Sequence, residues 1–165
     1  MDPRIANRDF YTLVPETPKA LRGLGEAVKK SGLEIALIEL VKIRASQING
    51  CAFCLAMHTD EARAMGESDA RMHLLSAWRE APVFSARERA ALAWTEALTR
   101  IADAPVSDEL YREARAQFTD AELANLTTAI VTINAWNRIA IAYRFMPDVK
   151  AKGPAAPAVA KDAAQ

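Results

Sequence analysis

Cys51, Cys54 and His58 carry the reactive potential of this chain. They stand in the run Cys51-Ala-Phe-Cys54-Leu-Ala-Met-His58, and the 165 residues contain no other cysteine and one other histidine, His73. On a helix starting near Cys51, separations of three and four place all three side chains on one stripe. Neighbours at that spacing lie about 5–6 Å apart, a span that a disulfide can close. A helix N-terminus offers unpaired N–H groups and partial positive charge, which favour thiolate over thiol. His58, one turn further on, can accept or donate the thiol proton. A thiolate beside a second thiol suits reversible oxidation: one sulfur attacks and becomes a sulfenic acid or mixed disulfide, and the other resolves it.

Two plainer readings compete. The cysteines could be small buried apolar residues, with His58 a satisfied core or surface histidine. Structural zinc would need four ligands. His73 stands at no usual second-pair spacing and reads as an exposed residue of a polar helix. No metal and no cofactor is therefore expected. As a staple the pair would close a tiny loop and constrain the unfolded chain little.

The elements that must position these residues read as helices. Alanine occurs 34 times and glycine 6 times, and no alternating run of β-branched residues signals a strand. Thr17-Pro18 reads as an N-cap followed by proline at the first helical position, opening a helix over 18–30. The next runs from about Leu33 to Ile48 and stops at Asn49-Gly50, a left-handed cap. A third spans Cys51 to Gly66, and Ser68 caps a shorter one over 69–78. Ser85-Ala-Arg-Glu88 and Thr119-Asp-Ala-Glu122 are capping boxes, and Ser107 starts a helix between them. The last helix spans 120–145 and stops before Pro147. Roughly seven helices with short connections make an all-α bundle, a single domain over 1–150. The Ala/Pro/Lys-rich stretch 151–165 reads as a disordered tail.

On the second of these helices Glu39, Lys42, Ser46 and Asn49 form a polar stripe. Its plain reading is a solvated face with a weak Glu39–Lys42 pair. Asn134, Asn137 and Arg138 interrupt an otherwise apolar final helix, and structural hydrogen bonding to neighbouring helices or across a subunit contact is the preferred reading. Trp78, Trp94 and Trp136 read as core or interface anchors.

Lysine plus arginine equals 21, as does aspartate plus glutamate, so no basic excess exists to hold nucleic acid or an anionic membrane. Met1–Phe10 carries four charged residues and no apolar run follows, so no signal peptide is expected. The longest uncharged stretch, 123–137, is shorter than a membrane span. A cytoplasmic protein is expected, and in a reducing compartment a Cys-x-x-Cys pair favours catalysis over structure.

Glu39, eleven intervening residues, and then Cys51-Ala-Phe-Cys54-Leu-Ala-Met-His58 resemble the core motif of the alkylhydroperoxidase AhpD-like branch of the carboxymuconolactone decarboxylase family. Asn134-Ala-Trp-Asn137-Arg138 is similar to that family's C-terminal helix, so the resemblance covers about Leu33 to Ala142. It implies an AhpD-like helical fold, a homo-oligomer (trimer or hexamer), and a thiol-dependent peroxidase. True decarboxylases of the family lack the cysteine pair. By position, Cys54 would be the peroxidatic cysteine and Cys51 the resolving one, with Glu39 and His58 as a proton relay. The partners implied are a hydroperoxide substrate and an external thiol reductant, a small thiol or a protein. One position departs: Phe53 stands where the best-known members have a second histidine, which removes a relay member. The rival functions are a non-catalytic redox-sensing helical oligomer and a decarboxylase-like enzyme acting on a small cyclic acid.

Overall fold

The computed structural model describes residues 2–148; the expected tail, 151–165, lies outside them. Among the described residues eight α-helices follow one another: α1 (Asn7–Leu13), α2 (Glu16–Lys29), α3 (Ile35–Asn49), α4 (Ala52–Ala64), α5 (Asp69–Leu74), α6 (Ala86–Thr99), α7 (Asp108–Arg115) and α8 (Asp120–Tyr143). A 3₁₀ turn, Leu75–Ala77, continues α5. There is no strand among the described residues, and no helix there is long and apolar enough to cross a membrane. The all-α expectation holds.

α3 lies at the centre, packed against α4, α6 and α8. Buried residues cover nearly its whole circumference, from Leu37 through Val41 to Ile43, Ala45 and Ser46, as expected of a helix enclosed by others. One core cluster joins α3 to α2, α6, α7 and α8 through Val28, Trp94, Ala114 and Leu126. A second joins α3 to α4, α5 and α6 through Leu40, Leu75, Trp78 and Leu92. The third holds both cysteines among Phe10, Ile133, Ala140 and Phe145.

Several boundaries differ from the sequence reading, each for a local reason. α1 is an additional helix. It has no side-chain cap, and its anchor is tertiary: Phe10 packs on Tyr143 and Phe145 at centroid distances of 5.4 and 5.8 Å. α2 begins at Glu16 after Pro15, so Thr17 is no cap. Pro18 sits third in the helix, where the first four N–H groups lack helical partners in any case. The predicted helix over 69–78 tightens into 3₁₀ geometry after Leu74. α8 ends at Tyr143, with Arg144 left-handed at φ 56°. The two capping boxes and the Ser68 and Ser107 caps form as read.

Candidate functional site

Gly50 determines how the cysteines are presented. It takes a left-handed conformation (φ 70°), which a residue with a Cβ adopts poorly. Its N–H bonds Gln47 O at 3.3 Å and the Cys51 N–H bonds Ser46 O at 3.0 Å. These two bonds make a Schellman turn. The chain therefore leaves α3 sharply, and Cys51 is extended (φ −87°, ψ 93°) rather than helical. Here the structure corrects the expected single stripe. Cys51 is the N-cap of α4, and only Cys54 and His58 stand on the helix.

That position gives the two sulfurs different roles. Cys51 Sγ accepts the Cys54 backbone N–H at 3.4 Å, as a capping side chain does. Hydrogen bonding from the Cys54 thiol, the Cys54 N–H and the Asn137 amide, with the positive field of His58, outweighs burial and lowers the Cys51 thiol to about 7. The Cys54 thiol is pushed up, because it donates to Cys51, is buried, and faces Cys51's charge. Both residues are only 1% exposed. Cys54, and not Cys51, lines a cleft between α2 and α8.

The polar stripe of α3 is not a solvated face. Glu39 is 1% exposed, and its carboxylate joins two partners. Oε1 accepts from Lys42 Nζ at 2.7 Å and Oε2 meets His58 Nδ1 at 2.8 Å. The same Nδ1 also lies 3.1 Å from Glu61 Oε2. Hydrogen bonding and charge from these two carboxylates raise the His58 pKa against a large opposing burial effect. Glu61 in turn is lowered to about 2, chiefly by His58. The two carboxylates thus favour the imidazolium form of His58. The Glu39, His58 and Glu61 ligand atoms lie within 4.8 Å of one another, close enough for a metal ion. Lys42 already supplies positive charge at Glu39, so the group reads as a charge chain.

Sequence reasoning missed Glu61 and underrated Asn137. Glu61 follows His58 by three, which places it on the same face of α4. Asn137 is fully buried on α8. Its Oδ1 accepts from Asn49 Nδ2 at 2.8 Å and its Nδ2 donates to Ser46 Oγ at 3.0 Å. Asn134 bonds Asn49 at 2.9 Å and Thr99 at 3.1 Å, and Arg138 bonds back onto Asn134. Structural hydrogen bonding between helices, the preferred reading, is what Asn134 and Asn137 do, while Arg138 bonds within α8. With Oδ1 engaged by Asn49, the Asn137 NH₂ group turns toward Ser46 and the sulfurs, where it helps to lower Cys51 and partly offsets the rise of Cys54. Asn137→Ala should move the pH midpoint of thiol alkylation upward by about one unit, the equivalent of one charge-assisted hydrogen bond. An unmoved midpoint would reduce the amide to a packing group.

The cleft over Cys54 is walled by α1, α2, α4 and α8, with Tyr11, Phe53, Met57 and Trp136 among its lining residues. Phe53, standing in place of a histidine, forms apolar wall and packs edge-on to Phe145 at 5.6 Å. Trp136 stacks on Tyr11 at 6.2 Å, so it is a cleft residue, while Trp78 and Trp94 are core. His73 is exposed and is not among the residues that line the cleft. The four sequence-derived residues (Glu39, Cys51, Cys54 and His58) meet where α3, α4 and α8 pack.

Residues 15–97 match the model of the Carboxymuconolactone decarboxylase family. The chain is 42% identical over 133 residues to the uncharacterized protein YdfG of Bacillus subtilis strain 168, covering 81% of this chain and 90% of that one. A crystal structure from Agrobacterium tumefaciens, of a protein of unknown function named as a candidate antioxidant defence protein AhpD, superposes with a TM-score of 0.85. It is 44% identical and covers 90% of this chain and 100% of its own. A debrominase solved with 2,3,4-tribromopyrrole shares the fold at a TM-score of 0.73 and 17% identity, over 82% of this chain and 72% of its own.

Proposed function

Because the chain belongs to the carboxymuconolactone decarboxylase family, we propose that it is a thiol-dependent peroxidase working through the Cys51–Cys54 pair. The observation that carries this reading is a dithiol with divided roles. One sulfur faces a cleft and the other is held near its ionisation point behind it.

The resting charge sits on Cys51. The Cys54 proton passes to Cys51, and the Cys54 thiolate attacks the distal oxygen of a hydroperoxide. The O–O bond breaks, Cys54 becomes a sulfenic acid, and the leaving alkoxide takes a proton from His58. His58 then takes the proton of Cys51. The Cys51 thiolate attacks the Cys54 sulfur, an S–S bond forms, and the departing hydroxide recovers that proton as water. The sum is hydroperoxide and two thiols giving alcohol, water and a disulfide. An external dithiol must restore the pair by exchange, which fits a reducing compartment such as the cytoplasm. Glu39 and Glu61 keep His58 charged for its role as acid. Assembly as a homo-oligomer is part of the same proposal, supported by Val131 and Ile141, which are apolar and exposed on α8.

Hydroperoxide titration with mass spectrometry tests the cycle. One equivalent should remove two hydrogens from the Cys51–Cys54 peptide, and dithiothreitol should return the pair through repeated turnovers. Oxidation that stops after one event would favour a redox sensor. Thiols inert to hydroperoxide would refute the peroxidase.

A further inference from the structure

A third sulfur shares the cleft with Cys54. Met57 also lines it, and the two residues stand three apart on α4. That spacing puts their Cβ atoms about 5–6 Å apart on one face of the helix. Met57 is 40% exposed, whereas Cys54 is 1% exposed. A thioether has no proton to lose, so its sulfur is a nucleophile at any pH and oxidises to the sulfoxide.

The other methionines show what is particular about this position. Met65 and Met146 are more exposed, at 48% and 56%, but neither lines the cleft. Met72 is buried. Exposure alone would therefore make Met57 the slowest of the three accessible methionines to oxidise. The cleft supplies two things that open surface does not. It brings a hydroperoxide to Cys54, within reach of a sulfur one helical turn on. It also contains His58, a proton donor for the oxygen that departs.

Resting on the peroxidase reading, we propose that Met57 is a site of oxidative modification that obstructs the cleft when hydroperoxide outruns the supply of reductant. While Cys51 and Cys54 are joined as the disulfide, Cys54 has no thiolate to offer, and the next hydroperoxide meets Met57. A lone pair of the Met57 sulfur attacks the distal oxygen, an S–O bond forms and the O–O bond breaks. The departing alkoxide, or hydroxide from hydrogen peroxide, takes a proton from His58. The S–OH group left on Met57 returns its proton to His58. The sum is thioether and hydroperoxide giving sulfoxide and alcohol or water. The sulfoxide puts a polar, chiral group into a stretch of wall formed with Phe53, Ile133 and Trp136, and later approach to Cys54 is slowed.

Peptide mass spectrometry after exposure to hydrogen peroxide reads each methionine separately. In wild type without reductant, Met57 should gain one oxygen faster than Met65 and Met146 by about tenfold or more, a modest share of what a positioned acid supplies. A rate no higher than theirs would overturn the proposal. Met57→Leu removes the sulfur and nearly keeps the volume. Each protein is given a hydrogen peroxide pulse, then dithiothreitol, and its turnover is compared with its own rate before the pulse. Wild type should return several-fold slower and Met57→Leu at its original rate; equal losses would overturn the obstruction. Cys54→Ser separates the modification from the catalytic cycle, because Met57 should still oxidise ahead of Met65 and Met146. Selective oxidation of Met57 in a wild-type protein that never turns over would refute the peroxidase and leave the Met57 site standing. Turnover with Met57 no faster than Met65 would overturn the Met57 site alone.

Discussion

Cys54→Ser should abolish hydroperoxide turnover, lowering kcat by about 10³-fold or more, as loss of a nucleophile does. Cys51→Ser should behave differently in kind. Cys54 still faces the cleft, so one hydroperoxide should still react with it. Without Cys51 the sulfenic acid has no resolving partner, and the product should be a stable adduct one oxygen heavier at Cys54, with no disulfide. The pH dependence should move as well. In wild type the pair first ionises at about 7, so the oxidation rate rises as pH climbs through neutrality. In Cys51→Ser the lone Cys54 loses both the thiolate beside it and the charge that opposes its own ionisation. Burial still raises Cys54, so its profile should lie on the alkaline side of the wild-type one. Residual turnover in Cys54→Ser, or a disulfide in Cys51→Ser, would reverse or dissolve the assignment of the two sulfurs.

Glu39→Ala should carry the largest stability loss among the site residues. It removes the shared partner of Lys42 and His58, whose side chains are only 15% and 7% exposed. Breaking a buried charge pair from one side typically costs about 3–5 kcal/mol, because the remaining charge is left desolvated. Glu61, half exposed, retains His58 in part. The pH dependence of stability distinguishes this from loss of packing. His58 is raised in the folded protein, so its contribution is complete below the unfolded value of about 6.5 and is lost as pH rises through the folded value. Wild type should therefore lose this increment of unfolding free energy on the alkaline side, and Glu39→Ala should lose much less. Urea melts at several pH values measure both. A cost below about 1 kcal/mol at pH 6 would mean that water or Glu61 replaces Glu39 fully.

Much of the fold was legible because its helices are punctuated by residues with local physical effects. Ser85, Thr119, Ser68 and Ser107 each accept the backbone N–H three residues on, and Gly50 closes α3. α1 was hidden because its stability comes from Phe10 meeting Tyr143 and Phe145, over 130 residues away. The constellation of Glu39, Cys51, Cys54 and His58 was legible by its spacing and its resemblance to a family motif. The burial of the Glu39 stripe was not, since a polar row on a helix reads as solvated unless the helix is known to be central. Glu61 shows the reverse failure: its spacing from His58 was visible, but a carboxylate at i+3 is common on any exposed helix. Asn137 needed the fold, because only the Asn49 bond fixes which way its amide turns.

The placement of Cys51 at the head of α4 also bears on redox poise. As a thiolate it satisfies the Cys54 N–H and opposes the positive end of the helix dipole, and a disulfide between the same residues gives up that charge. Whatever the cap contributes therefore stabilises the reduced form alone. Stabilising the reduced form raises the reduction potential, by about 30 mV for each 1.4 kcal/mol. In the proposed cycle, a disulfide between Cys51 and Cys54 would give up this stabilisation, so the start of α4 favours its reduction.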